Sequence, residues 1–264
     1  MGLSDSMGKL RKLINIFIGF GILIALWEGM VLSGKYEESL LPSPIKVAKG
    51  MEELVLNGVL IDDIKVSLFR FFSGYLSAVI IAVILGLIFG WFDKLWGIFD
   101  PIAQILRPIS PIAWSPFIVL WFGIGDIPAI VIIFIAAFFP VLLATVAAVR
   151  KIDKTYLKVA KNFGIKQPQI FTKIIFPAAF PNIATGLHIA VGTAWIFLVA
   201  GEMVGAQSGL GYLIVDSRNS LRSDLLLAGI IFIGILGLLL DKLIVIFEKW
   251  VGKTWGIVPG REGE

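Results

Sequence analysis

An all-α membrane protein with six transmembrane helices is predicted by three observations. Hydrophobic residues make up 58% of the 264 and charged residues only 16%, with a mean hydropathy of +0.92, too little polar surface to cover a soluble domain. The apolar residues gather in runs of about 20, the length a helix needs to cross the ~30 Å hydrocarbon layer. The 28 glycines point the same way, because small residues let membrane helices approach closely.

The same composition narrows the chemistry. With no cysteine and one histidine, disulfides and thiol chemistry are excluded and imidazole chemistry is scarce; no catalytic residue and no metal site are expected. The net charge of +4 and pI near 9.2 would direct a soluble protein toward nucleic acid. In a bilayer the basic residues report orientation instead, and no nucleic-acid partner is expected.

Lys9, Arg11 and Lys12 precede an apolar run from Leu13 to Leu32. It is long enough to span and no small-residue cleavage site follows, so a retained first helix is predicted rather than a signal peptide. From Ser33 to Lys65 the chain turns polar; Pro42 and Pro44 break it, and Val47, Met51, Leu54 and Val55 mark a short amphipathic helix on the outer side. Val66–Phe92 is the second span and Ile98–Phe122 the third. Pro101, Pro108, Pro111 and Pro116 each remove a backbone donor from that third run. Broken helices persist at membrane depth where they are packed in protein or line a wet cavity, so the run reads either as an inert kink or as a pathway wall. Gly125, Asp126 and Pro128 form an outer turn. Ala129–Val149, Ile183–Ala206 and Leu225–Phe247 complete the six. Three segments result: 1–65, a first span with an outer amphipathic piece; 66–250, one transmembrane domain with a loop at 150–182; and 251–264, a tail.

The loop is the longest polar interruption. Tyr156, Val159, Ala160 and Phe163 recur at the spacing of one helix face, with Lys154, Lys158 and Lys161 opposite. Gly164 supplies the left-handed residue that ends a helix, and Pro168 opens the next one. Such an elbow suits docking into a partner's groove, or lying on the lipid surface with its lysines toward headgroups. Its basic residues, with Arg150, place the elbow and both termini in the cytoplasm.

Charges within spans are costly and therefore informative: Glu28, Arg70, Arg107, Glu202 and Asp241. Glu28, Arg70 and Asp241 lie near span ends, where snorkelling or close pairs account for them. Glu202 is expected either on a pathway or bonded to a neighbouring helix, and His188 is read as a helix-packing hydrogen bonder. The pathway candidates are Ser110, Trp114, Ser115, Thr193, Trp195, Glu202 and Arg107, because neutral donors and helix N-termini can hold a small oxyanion. Glu202→Gln is expected to alter transport more than assembly. Gly252-Lys253-Thr254 is not a P-loop: Phe247 stands where its first glycine belongs and no strand precedes it.

Two groups of residues resemble a known family. Lys158-Val159-Ala160, then Gly164, then Phe176-Pro177-Ala178-Ala179-Phe180-Pro181 resemble the E-A-A loop of ABC-importer permeases, with Lys158 in place of the family glutamate. Leu41-Pro42-Ser43-Pro44, Val47, Ser67-Leu68-Phe69-Arg70 and Gly74, with Pro116-Phe117-Ile118-Val119-Leu120-Trp121-Phe122-Gly123-Ile124-Gly125, resemble the nitrate, sulfonate and taurine branch, as does Glu202. The resemblance implies a type I ABC importer permease fold whose elbow is a coupling helix. Tyr156, Lys158, Val159, Ala160, Phe163, Gly164 and Pro177 would then meet a separate ATPase. It further implies a second copy of the chain, two ATPase subunits carrying ATP and Mg, and an extracytoplasmic solute-binding protein, all at the inner membrane, with no cofactor on this chain. The solute would be small, an anion such as sulfonate, taurine, nitrate or bicarbonate. An ion-gradient-driven secondary carrier and a non-transporting membrane scaffold remain as alternatives; the carrier predicts titratable residues at mid-membrane.

Overall fold

The computed structural model describes residues 3–153, 162–165 and 167–254, and no strand occurs among them. The described helices are α1 (Leu3–Leu32), α2 (Pro44–Leu56), α3 (Val59–Trp91), α4 (Asp93–Leu106), α5 (Ser115–Phe122), α6 (Asp126–Arg150), α7 (Gln167–Ile170), α8 (Phe176–Gly205), α9 (Leu210–Asn219) and α10 (Ser223–Thr254). Among the described residues, five stretches are long and apolar enough to cross a membrane: Ile14–Leu32, Val59–Trp91, Asp126–Arg150, Phe171–Gly205 and Ser223–Gly252. Asp93–Leu106 and Pro111–Phe122 supply a sixth if counted as one broken span. The protein is thus all-α and multi-pass.

The run from Ile98 to Phe122 departs from the sequence expectation of a single span, because its two halves meet at 85°. The cause is local. Pro108 and Pro111 have no N–H to give, and the junction is held by short turn bonds from Ile109 to the Leu106 carbonyl (3.1 Å) and from Ala113 to that of Ser110 (2.9 Å).

The chain divides into two compact units, Met1–Ile61 with Leu213–Phe232, and Asp62–Tyr212 with Ile233–Glu264. In the first, Ser43 caps α2 by accepting the Lys46 N–H at 3.3 Å, with Pro44 at the first helical position, where no donor is needed. Val47, Gly50 and Leu54 form its buried face, whereas Val55, expected on that face, is exposed. Gly50 lets the helix close onto the start of α10, since a Cβ there would lie 3.3 Å from the Asp224 backbone. Arg222 clasps the same junction, donating to Glu53 at 2.7 Å and Asp224 at 2.9 Å. These bonds, to Asp224 and then Glu53, hold the guanidinium pKa above its already high value.

In the second unit α6 is the axis. Ile132, Ile133, Ala137, Val141, Leu142 and Thr145 are enclosed on it, and small residues on α3 and α8 bring those helices close. A Cβ at Gly86 would sit 2.5 Å from Cβ of Thr145, one at Gly90 2.6 Å from Cβ of Val149, and one at Gly186 2.5 Å from Cβ of Ala144. Gly86→Leu is therefore expected to prise α3 from α6 at a cost of about 1–3 kcal/mol, measured as a lower thermal midpoint in detergent.

Candidate functional site: an elbow, a cavity and a buried charge cluster

At the elbow the structure describes Asn162–Ile165. Gly164 has φ +68, the left-handed conformation expected of it. Phe163 beside it is 80% exposed, an aromatic ring largely open to its surroundings. Tyr156, Lys158, Val159 and Ala160 lie outside the described residues. The chain then re-enters the bundle through α7 and a π turn, Phe171–Ile175, in which the Phe176 N–H reaches the Phe171 carbonyl five residues back. Pro177, the second residue of α8, accounts for the wide turn: it offers no N–H, and its ring needs clearance from the carbonyl four residues earlier.

A cavity of about 460 Å³ opens among α6, α8 and the junction at 107–111 that follows α4. It joins two of the pathway candidates, Arg107 and Thr193, with Ile109, Pro111, Phe139 and Phe197 on its wall. Arg107 is its charged group. The Thr193 hydroxyl is engaged with the carbonyls of Ala190 (3.1 Å) and Ile189 (3.2 Å). Exposed Ser110, half-buried Trp114 and buried Ser115 do not line it. Trp195 is also not on that wall: its indole N–H donates to the Ile233 carbonyl at 3.1 Å, and Gly237 lies flat against the ring. It packs α8 on α10.

Glu202 does not line this cavity either. It is 0% exposed, at the opposite end of α8 from the elbow. Asp63, Ser67 and Arg70 fall on one stripe of α3 at helical spacing, and Ser67 and Arg70 reach it. The Ser67 hydroxyl donates to both Glu202 oxygens (2.8 and 2.9 Å), Arg70 Nη1 to Oε1 (2.8 Å) and the Gly211 N–H to Oε2 (2.9 Å). Arg70, 1% exposed and not snorkelling, also reaches the Ser208 carbonyl (2.6 Å), the Ser208 hydroxyl (2.9 Å) and Asp126 Oδ1 (2.8 Å from Nε). The N–H groups of Gly209 and Leu210 complete the set, donating to Asp63 (2.7 Å) and Ser67 (2.9 Å). Three orphan donors at the start of α9 are thus met by side chains. Gly209, at φ +100, must be glycine twice over, since a Cβ would sit 2.4 Å from Glu202 Oε1. The cluster ties α3, the α5–α6 turn, α8 and α9 together; a ligand has no free donor on Arg70 to claim.

His188 pairs with Asp241 at 3.0 Å and lies 3.8 Å from Glu248, again linking α8 to α10. Among the described residues no trio of His, Asp or Glu is placed to hold a metal ion.

A family profile described as "Binding-protein-dependent transport system inner membrane component" matches residues 49–253, most of the chain and all of these features. The chain belongs to that family. This inner-membrane transport component is similar to the putative aliphatic sulfonates transport permease protein SsuC of Bacillus subtilis, at 32% identity over 86% of this chain and 83% of that one. It also resembles the nitrate import permease protein NrtB of a Synechocystis strain, at 33% over 91% and 90%. Among solved structures, an inward-facing MetNI methionine ABC transporter chain superimposes with TM-score 0.54 at 21% identity, over 74% of this chain and 97% of that one. That likeness supports the permease fold.

The cluster residues Ser67, Arg70, Asp126 and Gly209 are absent from the sequence-derived site. One signal existed. Two opposite charges buried in different spans demand a partner each, and Arg70 and Glu202 are such a pair.

Proposed function

We propose that this inner-membrane component is the permease subunit of an ATP-driven importer, forming the pathway for a small anion. Two copies pair around one pathway, both termini lie in the cytoplasm, and each elbow seats one ABC ATPase. An extracytoplasmic binding protein delivers the solute. ATP and Mg are held by the ATPases alone. The observation that carries this reading is the Phe163–Gly164 corner: an exposed aromatic at a left-handed break, on a loop rich in lysine, in a chain otherwise made for lipid. The anion follows from the cavity, whose charged group is Arg107, and from relatives named for sulfonates and nitrate. Reconstituted with its ATPase and binding protein, the chain should give ATP turnover stimulated by the delivered solute. Absence of stimulation with a functional ATPase and binding protein present would overturn the reading.

Arg107 is exposed, so its replacement should spare the fold. A charge-assisted hydrogen bond contributes about 1.5–3 kcal/mol, so Arg107→Ala is expected to raise the half-maximal solute concentration for uptake about tenfold or more.

One observation favours a proton-driven carrier instead, the His188–Asp241 pair inside the spans. His188→Gln separates the two: an importer keeps near-normal ATP-dependent uptake, whereas a carrier loses its gradient-driven uptake.

A further inference from the structure

We infer that the π turn at Phe171–Ile175, with Trp91 against it, is the joint at which movement of the elbow enters the bundle. This makes Trp91 and Phe171 positioning residues for coupling. The inference rests on the elbow being the ATPase seat.

Beyond the joint, α8 is stiff. Ile183, Ala190, Ala194 and Leu198 are buried, and Gly186 and Gly201 bring the helix onto α6. That part cannot bend without α6. At its start the case is reversed. Pro177 and Pro181 each withhold a backbone donor, and the preceding turn closes by a five-residue bond. The Phe171–Gly205 span is therefore least braced by its own hydrogen bonds where it meets the elbow.

The joint is located as well as soft. Ile170 and Ile175 are both buried, at 1% and 0% exposure. In a regular α-helix five residues advance about 140° beyond a full turn, which would carry one of them off the buried face. The wider turn stacks residues five apart and keeps both inside. Phe171 meets Trp91, the last residue of α3, with ring centroids 4.9 Å apart and planes inclined at 58°. Bending at 171–177 thus swings the elbow about a point fixed by two isoleucines and one ring contact.

The test uses the cysteine-free chain assembled with its ATPase, with spin labels at exposed Gln169→Cys, on the elbow side of the joint, and Ile196→Cys, on the rigid part of α8. Deleting Thr172 together with Pro177→Ala leaves Ile170 and Ile175 four apart, still on one face, and joins α7 to α8 as an unbroken helix. The parent should show a resolvable distance change between nucleotide-free and ATP-trapped states. The straightened variant should keep its ATPase and lose both the change and at least nine-tenths of coupled uptake. An equal change in both proteins, or none in the parent, overturns the joint. Loss of ATPase from the parent would instead overturn the seat itself. Should the deletion fail to insert, Pro177→Ala alone is read by the same distance: a smaller change supports the joint and an unchanged one overturns it.

Discussion

Glu202→Ala is expected to be the most damaging single substitution in the protein, through folding and not through transport. It removes the carboxylate that receives Ser67, Arg70 and the Gly211 N–H, and leaves the fully enclosed Arg70 with its Nη1 partnered only by the Ser208 carbonyl. Breaking one side of a buried ion pair costs on the order of 3–5 kcal/mol. The thermal midpoint in detergent should fall steeply and the yield of inserted protein with it. This reverses the expectation for Glu202→Gln drawn from sequence: the amide keeps the shape but not the charge facing Arg70, so assembly should suffer before transport. Replacing both partners by apolar residues, Arg70→Met with Glu202→Leu, should recover much of the loss, because the two enclosed charges are then gone and Asp126, which also loses Arg70, is 53% exposed and hydrated. If the double variant is no better than the worse single one, the pair is not the source of the effect.

Gly164→Val is expected to leave the spans intact and remove coupling. A Cβ at Gly164 would meet nothing within 4 Å, so crowding plays no part. The cost lies in the backbone at φ +68, which an ordinary L-residue resists by about 1–2 kcal/mol and a β-branched one more. The turn will open and carry Phe163 away from its place. On a docking equilibrium that energy amounts to about tenfold, and solute-stimulated ATP turnover should fall at least as far while the thermal midpoint is unchanged. Gly164→Asn is the control, since asparagine tolerates the left-handed region. Normal turnover in the valine variant would contradict the docking elbow.

Much of the fold was legible because its signals are local. Apolar runs of spanning length and the proline-broken third run each declare themselves within a few residues, and Gly164 is left-handed as read. The 85° turn was not, since proline marks where a helix can break but not by how much. The Arg70–Glu202 contact joins residues 132 apart, and nothing in a helical period reports what lies across the bundle. For the same reason the approach of Gly237 to the Trp195 ring was not legible in the sequence. Val55 was misplaced by counting apolar residues alone, where a glycine made the contact.

The elbow's function depends on which side of the membrane it faces and what covers it there. With no native cysteine to interfere, a single Asn162→Cys can be labelled by a membrane-impermeant maleimide in intact cells and in inverted vesicles. Labelling in inverted vesicles alone, blocked when the ATPase is bound, is the predicted result; labelling of intact cells would contradict it.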